Sequence, residues 1–257
     1  MAELQQLKLI GIPGIPLIRP GDDIVALLLV ALANASLSLH DGDVLVIAQK
    51  IVSKSQGRYV CLDQLQPSAD AVDMARRTGK PPALVQAVLS QSTRVVRAAA
   101  NVLIVEQVDG FIVANAGIDR SNAEPGQEGE RVLLLPHAPD ETAAELRADF
   151  AQRCGKEFAI IISDSFGRPW RRGTVGVALG AAGVCSLLDL RGEMDLYGRP
   201  LQTSEVALAD QIAAAASLVM GESKEGIPAV LVRGLQASGP DLPARTLLRD
   251  AQNDLFR

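Results

Sequence analysis

The chain has 257 residues, enough for a substantial core, and its composition is that of a globular protein. Its net charge of -5 excludes a general nucleic-acid binder, because such proteins present a broad basic surface. The uncharged stretches at 24–39 and 173–188 are shorter than the ~20 apolar residues of a membrane-spanning helix, and no signal peptide is recognisable. We therefore expect a soluble, cytoplasmic protein with neither nucleic-acid nor membrane partners.

The first quarter of the chain predicts a loop, a helix and a strand. Residues 7–17 are apolar, but two glycines and two prolines favour a loop over a strand. Asp22 or Asp23 can cap a helix that runs to about Ser36. A turn at 41–43 precedes an apolar run that predicts a strand over 44–52.

The remaining elements mix helices and strands without a regular βαβ alternation. We predict helices at 67–78, 81–91, 140–154, 204–220 and 241–255, and strands at 94–98, 102–106, 111–114, 158–163 and 227–232. The Asp109-Gly110 pair predicts the hairpin turn between two of these strands, and Gly155 ends the 140–154 helix. This pattern predicts an α+β fold with mixed sheets, with an irregular α/β fold as the alternative, rather than a doubly wound sheet. We expect one domain over 1–257, in which the loop after Gly117 and the breaks near Leu190 are the places for a boundary between subdomains.

The most informative segment follows the 158–163 strand. Asp164 and Ser165 come directly after it, and three arginines, Arg168, Arg171 and Arg172, follow within a few residues. Carboxylate oxygens bind hard cations, and guanidinium groups match phosphate oxygens. The segment therefore predicts a metal and phosphate site at a strand end. The competing interpretation is a capping aspartate beside solvated arginines.

Two further segments also place an acidic residue in a polar loop, as the Asp164 segment does. Asp119 and Asn122 follow the 111–114 strand, where an ordinary Asx-rich turn is the alternative. Glu222 lies in a loop bounded by Gly221 and Gly226 after the long helix, where a helix end with a solvated turn is the alternative. If the loops converge, Asp119 and Glu222 supply a second and third metal-binding carboxylate.

A fourth set of residues suits a nucleotide. The extended loop at 15–18 can line a flat ring, and Gln49, Lys50 and Lys54 follow a strand, where lysines can reach phosphates. The chain contains neither a P-loop nor a G-x-G-x-x-G motif opening a helix. A nucleotide site must therefore use another architecture.

Taken together, these segments resemble the coenzyme F420-0:γ-glutamyl ligase family. The matching motifs occur in order over nearly the whole chain: GIPLI (14–18), GDD (21–23), DGDVLV (41–46), VSKSQGR (52–58), NAGIDRSN (115–122), SDSFGR (163–168), RRG (171–173), DLYGR (195–199) and MGE (220–222).

The resemblance implies a GTP-dependent ligase that uses Mn²⁺ or Mg²⁺, in two sites, together with K⁺. Members join L-glutamate to F420-0 and then add a further γ-linked glutamate, and their α+β fold forms an intertwined homodimer. The implied metal ligands are Asp119, Asp164, Ser165 and Glu222. The implied nucleotide contacts are Ile15, Pro16, Leu17, Ile18, Gln49, Lys50, Lys54, Asn122, Met220, Gly221, Ser223, Lys224, Glu225, Gly226 and Ile227.

The arginines at 168, 171 and 172 are predicted as catalytic residues that bind either the phosphates or the acidic acceptor. The chain departs from the family pattern at Gln49-Lys50, where some members carry hydroxyl residues, and at Ser165, where threonine is common. Some relatives also carry a C-terminal flavin-binding domain that is not expected here. The alternatives are a metal-dependent phosphohydrolase, a glutamyl ligase for another acidic acceptor, and a nucleotide-binding regulatory protein.

Overall fold

The computed structural model describes residues 5–120, 129–236 and 239–254. In these ranges the strands are β1 (Lys8–Gly11), β2 (Val44–Ala48), β3 (Tyr59–Cys61), β4 (Ser92–Ala99), β5 (Val102–Gln107), β6 (Ile112–Ala114), β7 (Arg131–Leu133), β8 (Ala159–Gly167), β9 (Thr174–Ala182), β10 (Leu187–Asp189), β11 (Glu205–Ala207) and β12 (Ala229–Arg233). The α-helices are α1 (Ile24–Asn34), α2 (Gln49–Ser55), α3 (Ala69–Thr78), α4 (Pro82–Ser90), α5 (Pro139–Cys154) and α6 (Leu208–Met220). None of these helices is both long and apolar enough to cross a bilayer.

A five-stranded mixed sheet forms the centre of the molecule. Its strand order is β1-β12-β2-β8-β9, and β2 and β8 form the parallel pair in it. The other neighbours in this sheet run antiparallel. The mixed sheet, three smaller sheets and the helices confirm the predicted α+β class.

The central sheet is buried on both faces. Leu45 and Ile160 point into a core shared with α1 and α5, whereas Val46 and Ile161 point into a core shared with α6. Successive side chains of a strand face opposite sides of the sheet, so a strand covered on both faces must be apolar at every position. This requirement explains the unbroken apolar runs of β2, β8 and β12.

A second group of elements lies between β2 and α5 in the sequence. The β4-β5-β6 sheet packs on α3 and α4 around Val85, Leu103 and Val105, and β3 pairs with β7. Gly110 adopts a positive φ in the turn between β5 and β6, as the Asp109-Gly110 pair predicts. This group matters for the site because it delivers Asp119.

The predicted strand at 44–52 was wrong in its second half. The strand ends at Ala48, and Gln49 begins α2. The β-branched pair Ile51 and Val52 favours a strand locally, but both side chains are buried in the core beneath α1 when the chain turns into a helix. Tertiary burial therefore outweighed the local strand preference.

The predicted final helix at 241–255 was also wrong. In the described part of that range, only Ala244–Leu247 forms a short 3₁₀ turn. The backbone N–H groups of Ala244 and Arg245 donate to the buried carboxylate of Asp140, at 2.7 and 3.1 Å. These long-range bonds hold the segment against the start of α5.

Two smaller differences concern segment ends. Residues 7–17 contain a short strand, β1, because its backbone pairs with β12. The predicted helix at 204–220 begins only at Leu208, since residues 205–207 pair with β10, a strand that the sequence did not predict.

Candidate functional site

A cavity of about 690 Å³ opens at the edge of the central sheet where the parallel pairing of β2 with β8 ends. These strands are parallel, and Ala48 of β2 lies beside Ser163 of β8. The residues that follow them, Lys50 and Asp164, therefore reach the same cavity. Ligand sites of α/β sheets are commonly formed beyond the carboxyl ends of such strands.

Most predicted site residues line this cavity. They come from the 15–18 loop, α2, the segment after β6, β8 and the loop after α6: Ile15, Pro16, Leu17, Ile18, Gln49, Lys50, Lys54, Asp119, Asp164, Ser165, Met220, Gly221, Glu222, Ser223, Lys224, Glu225, Gly226 and Ile227. The fold thus brings five separated segments together.

Asp164 and Ser165 owe their positions to an irregularity in the β8–β9 hairpin. The register shifts between Ile162 and Ser163, and beyond this bulge Asp164 pairs with Val177 and Ser165 with Gly176. A bulge bends the strand and redirects the side chains beyond it. In this strand it separates the buried apolar half from the polar half that faces the cavity.

Asp119 enters the cavity from the second group of elements. Its backbone N–H and C=O both bond to Leu133 of β7, each at 2.9 Å, which holds this residue in place at the end of a loop. The ammonium group of Lys50 lies 2.6 Å from Oδ2 of Asp119. Lys50 therefore neutralises part of the negative charge in the cavity.

Glu222 is presented by a glycine turn at the end of α6. Gly221 has a φ of 71° and a ψ of -179°, a backbone conformation that residues with a Cβ rarely adopt, so the turn requires glycine. The hydroxyl of Ser165 donates to Oε1 of Glu222 at 2.5 Å. This bond joins the loop after α6 to β8.

Glu225 has a different role from Glu222 in the structure. Its carboxylate accepts from the backbone N–H of Ser223 at 2.8 Å. Hydrogen bonds from its own backbone N–H and from that of Ser223 lower the pKa of Glu225. The ionised Glu225 side chain therefore holds the 221–226 loop closed on itself.

Asp164 is the most perturbed acid of the cavity. Its pKa is raised to about 7: burial is the largest cause, the charges of Asp119 and Glu222 act in the same direction, and the N–H of Ser165 and the charge of Lys50 act against them. Asp164 as a whole residue is half-buried. The three acidic side chains therefore lie in one poorly solvated cavity, where the charge of Lys50 only partly offsets the repulsion of Asp119 and Glu222 on Asp164.

This raised pKa predicts a pH-dependent stability. An unfolded aspartate has a pKa of about 3.9, so between pH 4 and about 7 the metal-free native state binds more protons than the unfolded state. The stability due to protonated Asp164 is therefore lost as the pH rises through about 7. We expect Asp164→Asn to raise the melting temperature of the metal-free protein more at about pH 8 than at about pH 5.

Thermal melts in excess chelator would measure this difference. The exposed Asp189 gives a matched control, because Arg191 lowers its pKa to about 2 and Asp189→Asn should behave alike at both pH values. An equal effect of Asp164→Asn at both pH values would contradict a buried, proton-binding carboxyl group.

The donor chemistry of the cavity fits a divalent cation. Asp119, Asp164, Ser165 and Glu222 offer oxygen ligands, which Mg²⁺ and Mn²⁺ prefer. A cation would offset both the burial and the repulsion from Asp119 and Glu222 that raise the pKa of Asp164. Across residues 5–120, 129–236 and 239–254, no three acidic, His or Cys side chains are close enough to form a ready metal site. Lys50 and Ser165 hold two of the carboxylates instead, so metal binding requires these contacts to rearrange.

The predicted nucleotide residues differ in how they meet the cavity. Leu17 is 88% exposed, so the 15–18 loop offers an apolar surface at the rim. Gln49 is buried, and its side-chain oxygen accepts from the hydroxyl of Ser53 at 2.9 Å. Asn122 lies outside the described residues. A contact between each of these residues and a nucleotide stays a prediction.

The three predicted arginines lie elsewhere. Arg168, Arg171 and Arg172 are exposed in the turn between β8 and β9 and do not line the cavity. The guanidinium of Arg168 donates to the carbonyl of Gly173 at 3.1 Å, which closes this turn.

The sequence interpretation missed several residues of the cavity wall. Thr174 and Gly176 of β9 reach the cavity because they pair with Gly167 and Ser165, and helical spacing from Met220 places Ser217 there too. Recognition of a β8–β9 hairpin would have located the first two. The 173–188 run gave no such signal, because its small apolar residues suit a helix equally well.

Comparison with known proteins agrees with this arrangement of motifs. The family model described as F420-0:Gamma-glutamyl ligase matches residues 14–234. The chain is 46% identical to the coenzyme F420:L-glutamate ligase of Methanothermobacter thermautotrophicus, over 98% of this chain and 99% of the relative. It is 43% identical to the enzyme of that name from Methanopyrus kandleri, over the full length of both chains. It is 39% identical to the enzyme of that name from Methanocaldococcus jannaschii, over 99% of this chain and 98% of the relative.

Proposed function

This chain belongs to the F420-0:γ-glutamyl ligase family, and we propose that it joins L-glutamate to coenzyme F420-0 and then adds further γ-linked glutamate, in the biosynthesis of coenzyme F420. The observation that carries the proposal is the shared cavity. It collects Asp119, Asp164 and Glu222 from distant segments, together with three lysines, Lys50, Lys54 and Lys224. Such a cavity suits the activation of a carboxylate by a phosphorylated nucleotide.

The proposed reaction has two steps. The γ-phosphoryl group of GTP passes to a carboxylate oxygen of the acceptor, which yields GDP and an acyl phosphate. The amine of L-glutamate then attacks the acyl carbon, loses a proton and expels inorganic phosphate as the amide forms. Phosphoryl transfer depends mainly on positioning and charge neutralisation, which the lysines and the closed 221–226 loop are placed to provide.

Each part of the cavity has a proposed task. Lys50 and Lys54 bind phosphate oxygens, and the apolar 15–18 loop covers the guanine ring. Asp119, Asp164, Ser165 and Glu222 hold Mn²⁺ or Mg²⁺, which when bound neutralises phosphate charge. We also propose that K⁺ assists and that the enzyme works in the cytoplasm as a homodimer.

Mass spectrometry tests the function directly. Purified protein with F420-0, GTP, L-glutamate and Mn²⁺ should yield a product heavier by one and then by further glutamyl units, with one GDP formed per amide. Reactions without L-glutamate should release little phosphate. Steady GTP hydrolysis with no glutamyl product would favour a phosphohydrolase, and glutamylation of another acid only would change the acceptor.

Lys50 offers a sharper test, because its ammonium group is proposed to favour GTP binding and to compete with the metal for Asp119. We expect Lys50→Met to weaken GTP binding about 10-fold or more, the loss of one charged hydrogen bond to phosphate. The same change should strengthen Mn²⁺ binding without nucleotide, because the Lys50–Asp119 contact at 2.6 Å no longer competes with the metal. Calorimetry for GTP and electron paramagnetic resonance for free Mn²⁺ measure the two affinities.

A lysine far from the cavity supplies the control. Lys156 pairs with Asp41 on the surface, so Lys156→Met should leave both affinities unchanged. If Lys50→Met weakened GTP and Mn²⁺ binding together, Lys50 would serve to hold the cavity in shape, and the competition between Lys50 and the metal would be disproved.

A further inference from the structure

The turn between β8 and β9 is an exposed, cationic structure with one large aromatic side chain. We call residues 168–173 the β8–β9 tip. It contains Arg168, Arg171 and Arg172, and Trp170, the chain's single tryptophan, which is 87% exposed. A largely exposed indole a few residues from several guanidinium groups is a combination suited to binding flat, anionic molecules.

The backbone at Trp170 is strained. Its φ of 66° lies in the left-handed region, which bulky residues seldom adopt. Core packing does not compensate for this strain, because the side chain is mostly exposed. Backbone strain of this kind is concentrated at ligand-binding and catalytic positions, so the outlier indicates a role for the projecting indole.

The position of the tip relative to the cavity restricts what it can bind. Ser165 and Thr174 line the cavity, and the tip begins three residues beyond Ser165 on β8. At about 3.3 Å per residue, this spacing puts Arg168 on the order of 10 Å along the strand from Ser165. The tip therefore stands at the cavity mouth, where it can hold the far end of a molecule whose reacting end lies inside.

Within the tip, the arginines divide into two kinds. The guanidinium of Arg168 is bonded to the carbonyl of Gly173, so it positions the turn. Arg171 and Arg172 directly follow Trp170 in the sequence, and both are exposed. Because the cavity already contains three lysines and loops suited to a nucleotide, the charge on the tip is available for the second large substrate.

We propose that the β8–β9 tip is the binding site for the acidic acceptor, with the indole of Trp170 stacked on its flat ring and Arg171 and Arg172 paired with its anionic groups. The inference rests on the proposed function, since it takes F420-0 as the acceptor. Arg168 is a positioning residue under this assignment, and none of the three arginines contacts the GTP phosphates.

Calorimetric titration of F420-0 and, separately, of GTP distinguishes the two substrates. Trp170→Ala should weaken F420-0 binding about 10-fold, as expected for the loss of one stacking contact, whereas Trp170→Phe should restore most of it. The Arg171→Ala/Arg172→Ala variant should weaken F420-0 binding at least as much and reduce its salt dependence. GTP affinity should stay within about twofold of wild type in all three.

Two controls make the outcome decisive. The adjacent, exposed pair Arg76 and Arg77 at the end of α3 allows a matched double alanine variant, which should bind F420-0 as the wild type does. Because Trp170 is the single tryptophan, its fluorescence reports on the tip alone, and bound F420-0 should protect it from quenching by acrylamide.

The possible failures are distinguishable. Unchanged F420-0 affinity in Trp170→Ala, together with no acrylamide protection of Trp170 in the wild-type protein, would overturn the tip assignment while leaving the ligase proposal intact. Equal loss of GTP affinity would assign the tip to the nucleotide. Absence of F420-0 binding by the wild-type protein would overturn the proposed function together with this inference.

Discussion

Asp164→Asn is expected to lower the rate of glutamate ligation at saturating Mn²⁺ by at least ~100-fold, the loss typical of removing one group that stabilises charge in a transition state. Asparagine keeps the size of the side chain but removes the charge that a metal ligand supplies. Asp164 interacts electrostatically with both Asp119 and Glu222, since the charges of both raise its pKa. Removing its carboxylate therefore affects all three acidic residues.

Steady-state kinetics with rising Mn²⁺ separate weak metal binding from a lost chemical step. The variant should remain slow when the metal is saturating. A folding defect would not explain the slow turnover, because Asp164→Asn is expected to stabilise the metal-free protein above pH 7. Asp189→Asn, an exposed change of the same chemistry, should retain wild-type turnover. Near-normal turnover by Asp164→Asn would exclude the role proposed for Asp164.

Arg233→Met is expected to cost about 3 kcal/mol of unfolding free energy, the lower end of the range for breaking a buried ion pair. Arg233 ends β12 and donates to both carboxylate oxygens of Asp43, at 2.8 and 2.7 Å. Asp43 is only 2% exposed, so methionine would leave a buried charge without its partner. The lower end applies because Arg233 itself is 26% exposed.

Chemical denaturation at neutral and acid pH tests this prediction. Burial acts to raise the pKa of Asp43, but Arg233 and the N–H of His40 together bring it below its ordinary value. The stability from this pair is therefore present above about pH 4 and is lost as the pH falls through the native pKa. The difference between wild type and Arg233→Met should shrink in acid.

The exposed pair Arg191–Asp189 provides the matched control. Arg191→Met removes a similar guanidinium–carboxylate contact between two side chains that are each about half exposed, and exposed ion pairs contribute little. If Arg191→Met and Arg233→Met shifted the denaturation midpoint equally, burial of Asp43 would not be the source of the effect.

The amino-acid sequence by itself determined the elements whose signals are local. Asp23 caps α1 through the N–H of Ala26, and Gly155 ends α5 in a left-handed conformation. The helices α3 and α4 and the β4–β5–β6 strands also lie where their patterns predict. These signals are readable because a cap, a turn or an apolar period depends on residues a few positions apart.

The sequence also identified which segments carry acids and lysines, and most of those residues line one cavity. What it did not contain was the pairing of side chains within the cavity. The contacts Lys50–Asp119 and Ser165–Glu222 join positions far apart in the chain. They depend on the parallel register of β2 and β8 and on the bulge at Ser163.

The tertiary structure alone decided the turn of the chain after Ala48, the absence of a final helix in the described residues, and the position of the arginines outside the cavity. In each case a long-range contact competes with a local preference: core burial of Ile51 and Val52, backbone bonds to Asp140, and the length of the β8–β9 hairpin. Local propensities amount to at most about 1 kcal/mol per residue, so such contacts override them.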